Sequence, residues 1–213
     1  MTAPQDRTLL IASGNHHKHD EFRRAFPSEI ARLVVPSELV ATVGSAAPDP
    51  TEDGETLLEN AVIKARAFSL WSGLQAIADD TGLMVDALDG APGVLSARWA
   101  GEGASFEDNV TRLMDQLKDV PRQRRGAEFR CVLALCDGDQ VILTVEERCS
   151  GTITDISRGV DGFGYDPIFL PEGESRTFAE LEPPEKDAIS HRGRALRRFS
   201  ELYQQLDTTG GPR

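Results

Sequence analysis

Apolar residues in this chain follow two rhythms, short unbroken runs and stripes at helical spacing. Thr8 to Ala12 is a run of the first kind and reads as a buried strand. A loop and a short helix from about His16 to Phe26 follow, then a second strand candidate at Leu33 to Val35. Thr42 to Gly54, rich in Pro, Ala, Ser and acids, reads as a loop. Leu57, Leu58, Ala61, Val62, Ala65 and Phe68 then recur on one face of a helix from about Glu55 to Trp71, which Gly73 is suited to stop.

Two short strands are expected next, at Gln75 to Ala78 and Leu83 to Ala87, with Asp79-Asp80 separating them. Ala91-Pro92-Gly93 reads as a turn. Ser105, with Asp108 three residues on, resembles a capping box and opens a helix carrying Val110, Leu113, Met114 and Leu117. Glu128 to Leu135 and Gln140 to Glu146 flank Asp137-Gly138-Asp139, a hairpin signal. A glycine-rich loop at Gly159 to Gly164 precedes a last helix carrying Leu196, Phe199, Leu202, Tyr203 and Leu206, with frayed polar residues from Asp207 to Arg213. Strands alternate with helices early and pair as a hairpin later. The pattern predicts an α/β fold on a mixed sheet, in one domain over 1–213 with its core at about 8–206.

At 213 residues and 39% hydrophobic content the chain suits a globular protein, and no apolar run approaches the length that spans a bilayer. Met1 to Arg7 is polar and lacks the apolar core of a secretory signal, so the expectation is cytoplasmic. Cys131, Cys136 and Cys149 are odd in number and form no C-x-x-C pair, which favours reduced, packed thiols. If Cys131 and Cys136 share a strand, their odd separation points them to opposite faces. A formal charge of −12, from 23 basic and 35 acidic residues, repels nucleic acid, and Arg122 to Arg125 reads as a solvated loop rather than a binding patch. An acidic protein holds an anionic small molecule only with a metal and a few well-placed cations.

Four segments carry the chemistry. Asp79 and Asp80 adjoin each other between apolar strands, where two carboxylates repel unless a cation sits with them. Mg²⁺, which prefers oxygen ligands, suits that place. Ser13-Gly14-Asn15-His16-His17-Lys18 joins a strand to a helix, where backbone N–H groups, the Asn15 amide and the Lys18 ammonium suit phosphate oxygens. It is not a Walker A loop. His16, His17 and His19 read as a solvated run rather than a metal site. Glu52 precedes the long helix as a candidate metal ligand, and Lys64 within it is a candidate phosphate contact. Gly162-Phe163-Gly164-Tyr165-Asp166-Pro167 offers aromatics that suit a planar base, the alternative being that Phe163 or Tyr165 plugs a core edge. Lys186, His191 and Arg192 gather donors before the last helix.

Taken in order, these segments resemble the inosine triphosphate pyrophosphatase family. The resemblance runs from Leu9 to Leu206 through Ser13 to Lys18, Glu52, Glu59-Asn60-Ala61 with Lys64-Ala65, and Ile77 to Leu83. It continues through Gly90 to Gly93, Ser96-Ala97-Arg98, Gly162 to Pro167 and Ser190-His191-Arg192-Gly193. It implies hydrolysis of dITP, ITP and XTP to monophosphate and pyrophosphate, a Mg²⁺ requirement, a homodimer, and an elongated two-lobed α/β fold around a central cleft. By the same resemblance Asp80 is general base and metal ligand, and Glu52 shares the metal. Ser13, Gly14, Asn15, His16, His17, Lys18 and Lys64 hold the triphosphate, and Thr81 is a further substrate-binding residue. Phe163, Gly164, Tyr165, Asp166, Lys186, His191 and Arg192 bind the base.

Ser13 stands where many relatives carry Thr, and Thr81 where many carry Ser; both keep a hydroxyl. His16 and His17 replace small or apolar residues. Two rivals are a pyrophosphatase for pyrimidine or modified nucleotides and a non-catalytic nucleotide sensor. The His191-Arg192 and glycine-aromatic segments weigh against the first, and Asp80, Glu52 and Lys18 against the second. A Nudix hydrolase is excluded because its Glu-rich helix motif is missing from the sequence.

Overall fold

The computed structural model describes residues 7–209, so the polar residues expected at both ends fall largely outside the described chain. Its seven strands are β1 (Thr8–Ile11), β2 (Arg32–Val34), β3 (Gln75–Val85), β4 (Pro92–Gly93), β5 (Gly126–Asp137), β6 (Gln140–Ile153) and β7 (Phe169–Pro171). Six α-helices accompany them: α1 (His16–Ala25), α2 (Pro36–Val43), α3 (Leu57–Ser72), α4 (Phe106–Leu117), α5 (Pro183–Ile189) and α6 (His191–Thr209). The sheet order is β2-β1-β3-β5-β6-β7, with β4 attached to β3. β1 pairs in parallel with β2 and β3, while β4 on β3 and β7 on β6 are antiparallel. The expected mixed-sheet α/β architecture is therefore present.

Two compact units share these strands. The first comprises 1–80, 132–146 and 193–213, and the second 81–131 and 147–192. The first packs Leu9, Leu10 and Ile11 of β1 and Ile77 of β3 with Phe22, Phe26, Phe68, Leu196 and Phe199 from the helices. α3 supplies its share through a capping box: the Thr56 hydroxyl accepts from the Glu59 N–H at 3.1 Å while the Glu59 carboxylate accepts from the Thr56 N–H at 3.0 Å. That reciprocal pair satisfies donors a helix start otherwise leaves bare. Leu58, assigned to the apolar stripe from spacing, is instead 43% exposed.

The second unit centres on three rings. Phe129 lies 4.7 Å from Phe169, which lies 5.1 Å from Phe178. Leu83, Val85, Leu113, Leu117, Ile153 and Ile168 close around them. α4 brings Leu113 and Leu117 inward from a second capping box, Ser105 with Asp108.

Several sequence expectations change. β3 does not break at the two aspartates but runs unbroken to Val85. The Pro92–Gly93 turn also pairs as a short strand against Leu83 and Met84. α2 and α5 were not anticipated, because each begins with a proline that in sequence resembles a breaker. At the first helical position proline loses no hydrogen bond, and its fixed φ suits the turn. His191 and Arg192 accordingly open α6 rather than precede it, and Lys186 lies in α5. Arg125 is buried, its Nε donating to the Val120 carbonyl at 2.9 Å, whereas Arg122 to Arg124 are exposed. Cys131 and Cys136 do share β5, yet both are buried because the whole run from Cys131 to Cys136 is covered. The three cysteines form no disulfide, and burial pushes the Cys136 thiol pKa up against the attraction of Arg66. No described helix is long and apolar enough to cross a membrane.

Phe169 touches both of its ring partners with no solvent exposure. Phe169→Ala is expected to lower unfolding free energy by about 3–5 kcal/mol, read from urea denaturation, through lost transfer energy and the cavity left behind.

Candidate active site

In the first unit the site is built on three neighbouring pieces of chain: the β1–α1 loop, the loop before α3, and the middle of β3. The β1–α1 loop is stitched to itself. Asn15 N–H donates to the Ser13 hydroxyl at 3.1 Å, and the Asn15 side chain accepts from His17 N–H at 2.9 Å, which caps α1. His19 folds inward, its Nε2 lying 2.6 Å from the Ser13 carbonyl oxygen, and is buried rather than solvated. Lys18, two residues into the helix, extends its ammonium to Asp79 at 3.0 Å.

The loop before α3 is fixed by Asn60, which is fully buried and accepts from the Gly54 N–H at 2.8 Å. A Cβ on Gly54 would stand 2.7 Å from both the Asn60 side-chain Oδ1 and the Glu59 Cβ, so this close approach requires glycine. Glu52 is thereby held over α3, where its carboxylate meets Lys64 Nζ at 2.9 Å. The same ammonium meets Asp80 at 2.7 Å.

Asp79 and Asp80 are 2% and 8% exposed, a placement that costs free energy unless cations accompany them. Alternation along a strand sends the two side chains to opposite faces. Right-handed crossovers put helices on both faces here, since α1 leads from β1 out to β2 and α3 lies on the return to β3. Each carboxylate thus meets a lysine from a different helix. Burial raises the Asp80 pKa, with Lys64 and then Lys18 opposing the shift. For Lys64, burial works against the ammonium, but Asp80, Asp79 and Glu52 outweigh it and hold its pKa above the ordinary lysine value.

In the second unit Asp166 organises the glycine-aromatic loop. Its Oδ2 accepts from Phe163 N–H at 2.8 Å and from Lys186 Nζ at 2.7 Å. Gly162, at φ +75°, lies so close that a Cβ would run into this carboxylate. Lys186 Nζ stands 5.1 Å from the Phe163 ring centre, and the Arg192 guanidinium 5.5 Å from it. Arg192 also donates to the Thr81 hydroxyl at 3.2 Å. His191 stacks on Phe129 with ring centres 4.5 Å apart and ring planes nearly parallel.

Tyr165 takes the core role: it is 4% exposed, its hydroxyl donates to the Ser96 carbonyl at 2.9 Å, and burial drives its pKa up. Gly164 follows Phe163 at φ +64°. Phe106, half-exposed at the start of α4, lies 5.9 Å from Phe163 and was not anticipated.

The structure thus brings Glu52, Lys64 and Asp80 together, and Lys18 to Asp79. It also groups Phe163, Asp166, Lys186 and Arg192. Gly14 stays in the β1–α1 loop, while His16 and His17 open α1, His16 with its ring 5.5 Å from that of His19. Asn60 and His19 were missed as supports. The Gly54 and Asn60 pair could have been found from a glycine six residues ahead of a buried helical amide, but nothing local marks His19.

The Ham1 family profile matches residues 9–202. A dITP/XTP pyrophosphatase of Streptomyces coelicolor is 44% identical over 93% of this chain and 98% of its own length. One from Streptomyces avermitilis is 47% identical over the same shares, 93% and 98%. Among solved structures, a HAM1 protein from Coxiella burnetii is similar at TM-score 0.82 and 37% identity, covering 93% of this chain and 99% of that one. The chain belongs to the Ham1 family.

Lys186 and Asp166 are both buried and pair at 2.7 Å, so removing one takes a buried counter-charge from the other. Lys186→Met is expected to destabilise the protein by about 3–5 kcal/mol in urea denaturation. Lys186→Met with Asp166→Leu is expected to recover part of that loss, because no lone charge remains.

Proposed function

We propose that this chain is a nucleoside triphosphate pyrophosphatase that hydrolyses dITP, ITP and XTP to the monophosphate and pyrophosphate. The observation that carries this reading is the meeting of Glu52, Lys64 and Asp80, with Lys18 on Asp79 beside them, in a member of the Ham1 family. The names of its relatives supply the substrate class. Removal of these nucleotides from the cytoplasmic pool by a homodimer is part of the proposal; nucleic acid and membrane are not partners in it.

Mg²⁺ is the cofactor in this reading, and the donor set fits it. Glu52 and Asp80 already hold one cation between them, the Lys64 ammonium, through hard carboxylate oxygens. Among the described residues no group of three or more metal-ligating side chains converges. Two protein carboxylates suit Mg²⁺, which keeps waters and takes substrate phosphate oxygens rather than a full protein cage. When bound, the metal neutralises phosphate charge and favours departure of pyrophosphate.

The chain's own groups do the rest. Asp80 accepts a proton from a water whose oxygen attacks the α-phosphorus, and the bond from that phosphorus to the bridging oxygen breaks as pyrophosphate leaves. Lys18 and Lys64, with the loop from Ser13 and the Thr81 hydroxyl, hold the phosphates. Phe163 stacks on the purine, and Lys186, His191 and Arg192 point donors at the 6-carbonyl of hypoxanthine or xanthine. Adenine presents an amino donor there, and an unmatched buried polar group discriminates by roughly four to five orders of magnitude. Tyr165 and Asp166 shape the loop that carries Phe163.

Pyrophosphate release with Mg²⁺ is expected from dITP and XTP and not from dATP or dGTP. Binding without hydrolysis would favour the sensor, and release from pyrimidine nucleotides the other rival. Asp80→Asn is expected to lower kcat by at least about a hundredfold while leaving the dITP dissociation constant within a few-fold. Near-normal turnover in that variant would remove Asp80 from the role of base.

A further inference from the structure

Lys64 stands where two assignments compete. As a phosphate contact it should extend toward substrate, yet its ammonium lies 2.9 Å from Glu52 Oε2 and 2.7 Å from Asp80 Oδ1. Those carboxylates are the ones proposed to ligate the metal. We propose that Lys64 is a resident counter-cation that keeps the metal out of this pair, so that a divalent ion enters only together with the nucleotide's phosphates, which draw the ammonium away. The inference rests on the functional reading above and concerns the order and coupling of binding at that site.

The contacts set up the exchange on these two oxygens. Mg²⁺ and Mn²⁺ sit close to their carboxylate oxygens, about 2.0–2.2 Å away. An ion on Glu52 Oε2 and Asp80 Oδ1 would therefore lie against the ammonium that now touches both, cation on cation. Charge points the same way. Glu52, Asp79 and Asp80 contribute three negative charges and Lys18 and Lys64 two positive, leaving one net negative among these five. One net charge is a weak incentive for Mg²⁺ to surrender water, which it does reluctantly.

A triphosphate changes both terms. Its oxygens are new acceptors for Lys64 and new ligands for the metal, and its charge exceeds that of the two carboxylates. The Lys64 backbone is fixed in α3, but a lysine stem turns about four carbons and delivers the ammonium elsewhere without moving the helix. Metal and nucleotide then strengthen each other's binding by the same factor, as linkage demands.

The test titrates Mn²⁺ into the full-length protein and reads free ion by electron paramagnetic resonance. Titrations are run with and without an inosine triphosphate analogue carrying an imido bridge between the α and β phosphorus. With chelation by the analogue alone subtracted, wild-type protein is expected to bind Mn²⁺ at least about tenfold more tightly in its presence. Lys64→Met is expected to raise the Mn²⁺ affinity of the nucleotide-free protein by at least about tenfold, and Lys64→Arg, which keeps the cation, to leave it low.

Equal Mn²⁺ affinity in nucleotide-free wild type and Lys64→Met would overturn the inference. So would wild-type affinity indifferent to the analogue, a result that needs no variant to fold. A wild-type protein that binds the analogue without this synergy overturns the inference alone. One that binds no analogue under any metal condition overturns the functional reading as well.

Discussion

The first unit depends on how two buried carboxylates in the middle of β3 are kept tolerable. Asp79 and Asp80 are the two charged groups in a strand whose other residues are uncharged, and desolvation alone would drive them neutral or out of the sheet. Lys18 and Lys64 prevent that, one from the helix after β1 and one from the helix before β3. Helix placement, loop closure and the stitching of Asn15, His19 and Asn60 all serve to deliver two ammonium groups to two carboxylates. A buried ion network of this kind is a poor source of stability, so its use is best sought in the chemistry it permits.

The second unit solves a different problem. Its ring cluster of Phe129, Phe169 and Phe178 is ordinary apolar packing, and onto that base the chain mounts His191 and Lys186. Asp166 then ties Lys186 to the backbone of Phe163, so that one carboxylate positions both a cation and an aromatic ring. The loop carries Gly162 where a side chain would meet that carboxylate. Rigidity there comes from ionic bonding to the loop, with the core acting as a wall behind it.

Much of this was legible in the sequence, and what escaped did so for identifiable reasons. Apolar periodicity reveals α3 and α4, and their capping residues are local signals. It cannot reveal α5, which is seven residues long and starts with Pro183-Pro184, nor α2 behind Pro36. The carboxylate pair was read as a break in β3 because its cost is visible locally while its compensating lysines are brought in by the fold. The same blindness hid His19, whose partner is a backbone carbonyl, and made Arg125 resemble its exposed neighbours. Tyr165 shows the reverse: a residue conspicuous by motif whose hydroxyl is committed to Ser96.

The unbroken course of β3 has a consequence for how this sequence can change. Adjacent residues on a strand face opposite ways, so Asp79 and Asp80 are told apart only by parity. Adding or deleting one residue between Gln75 and Val85 would hand each lysine the wrong neighbour and invert every apolar position beyond the change. No loop interrupts the strand to absorb the slip, and β1 and β4 pin it on either side of the pair. Substitutions along β3 are thus local events, whereas length variation is forbidden there and must be accommodated in the loops.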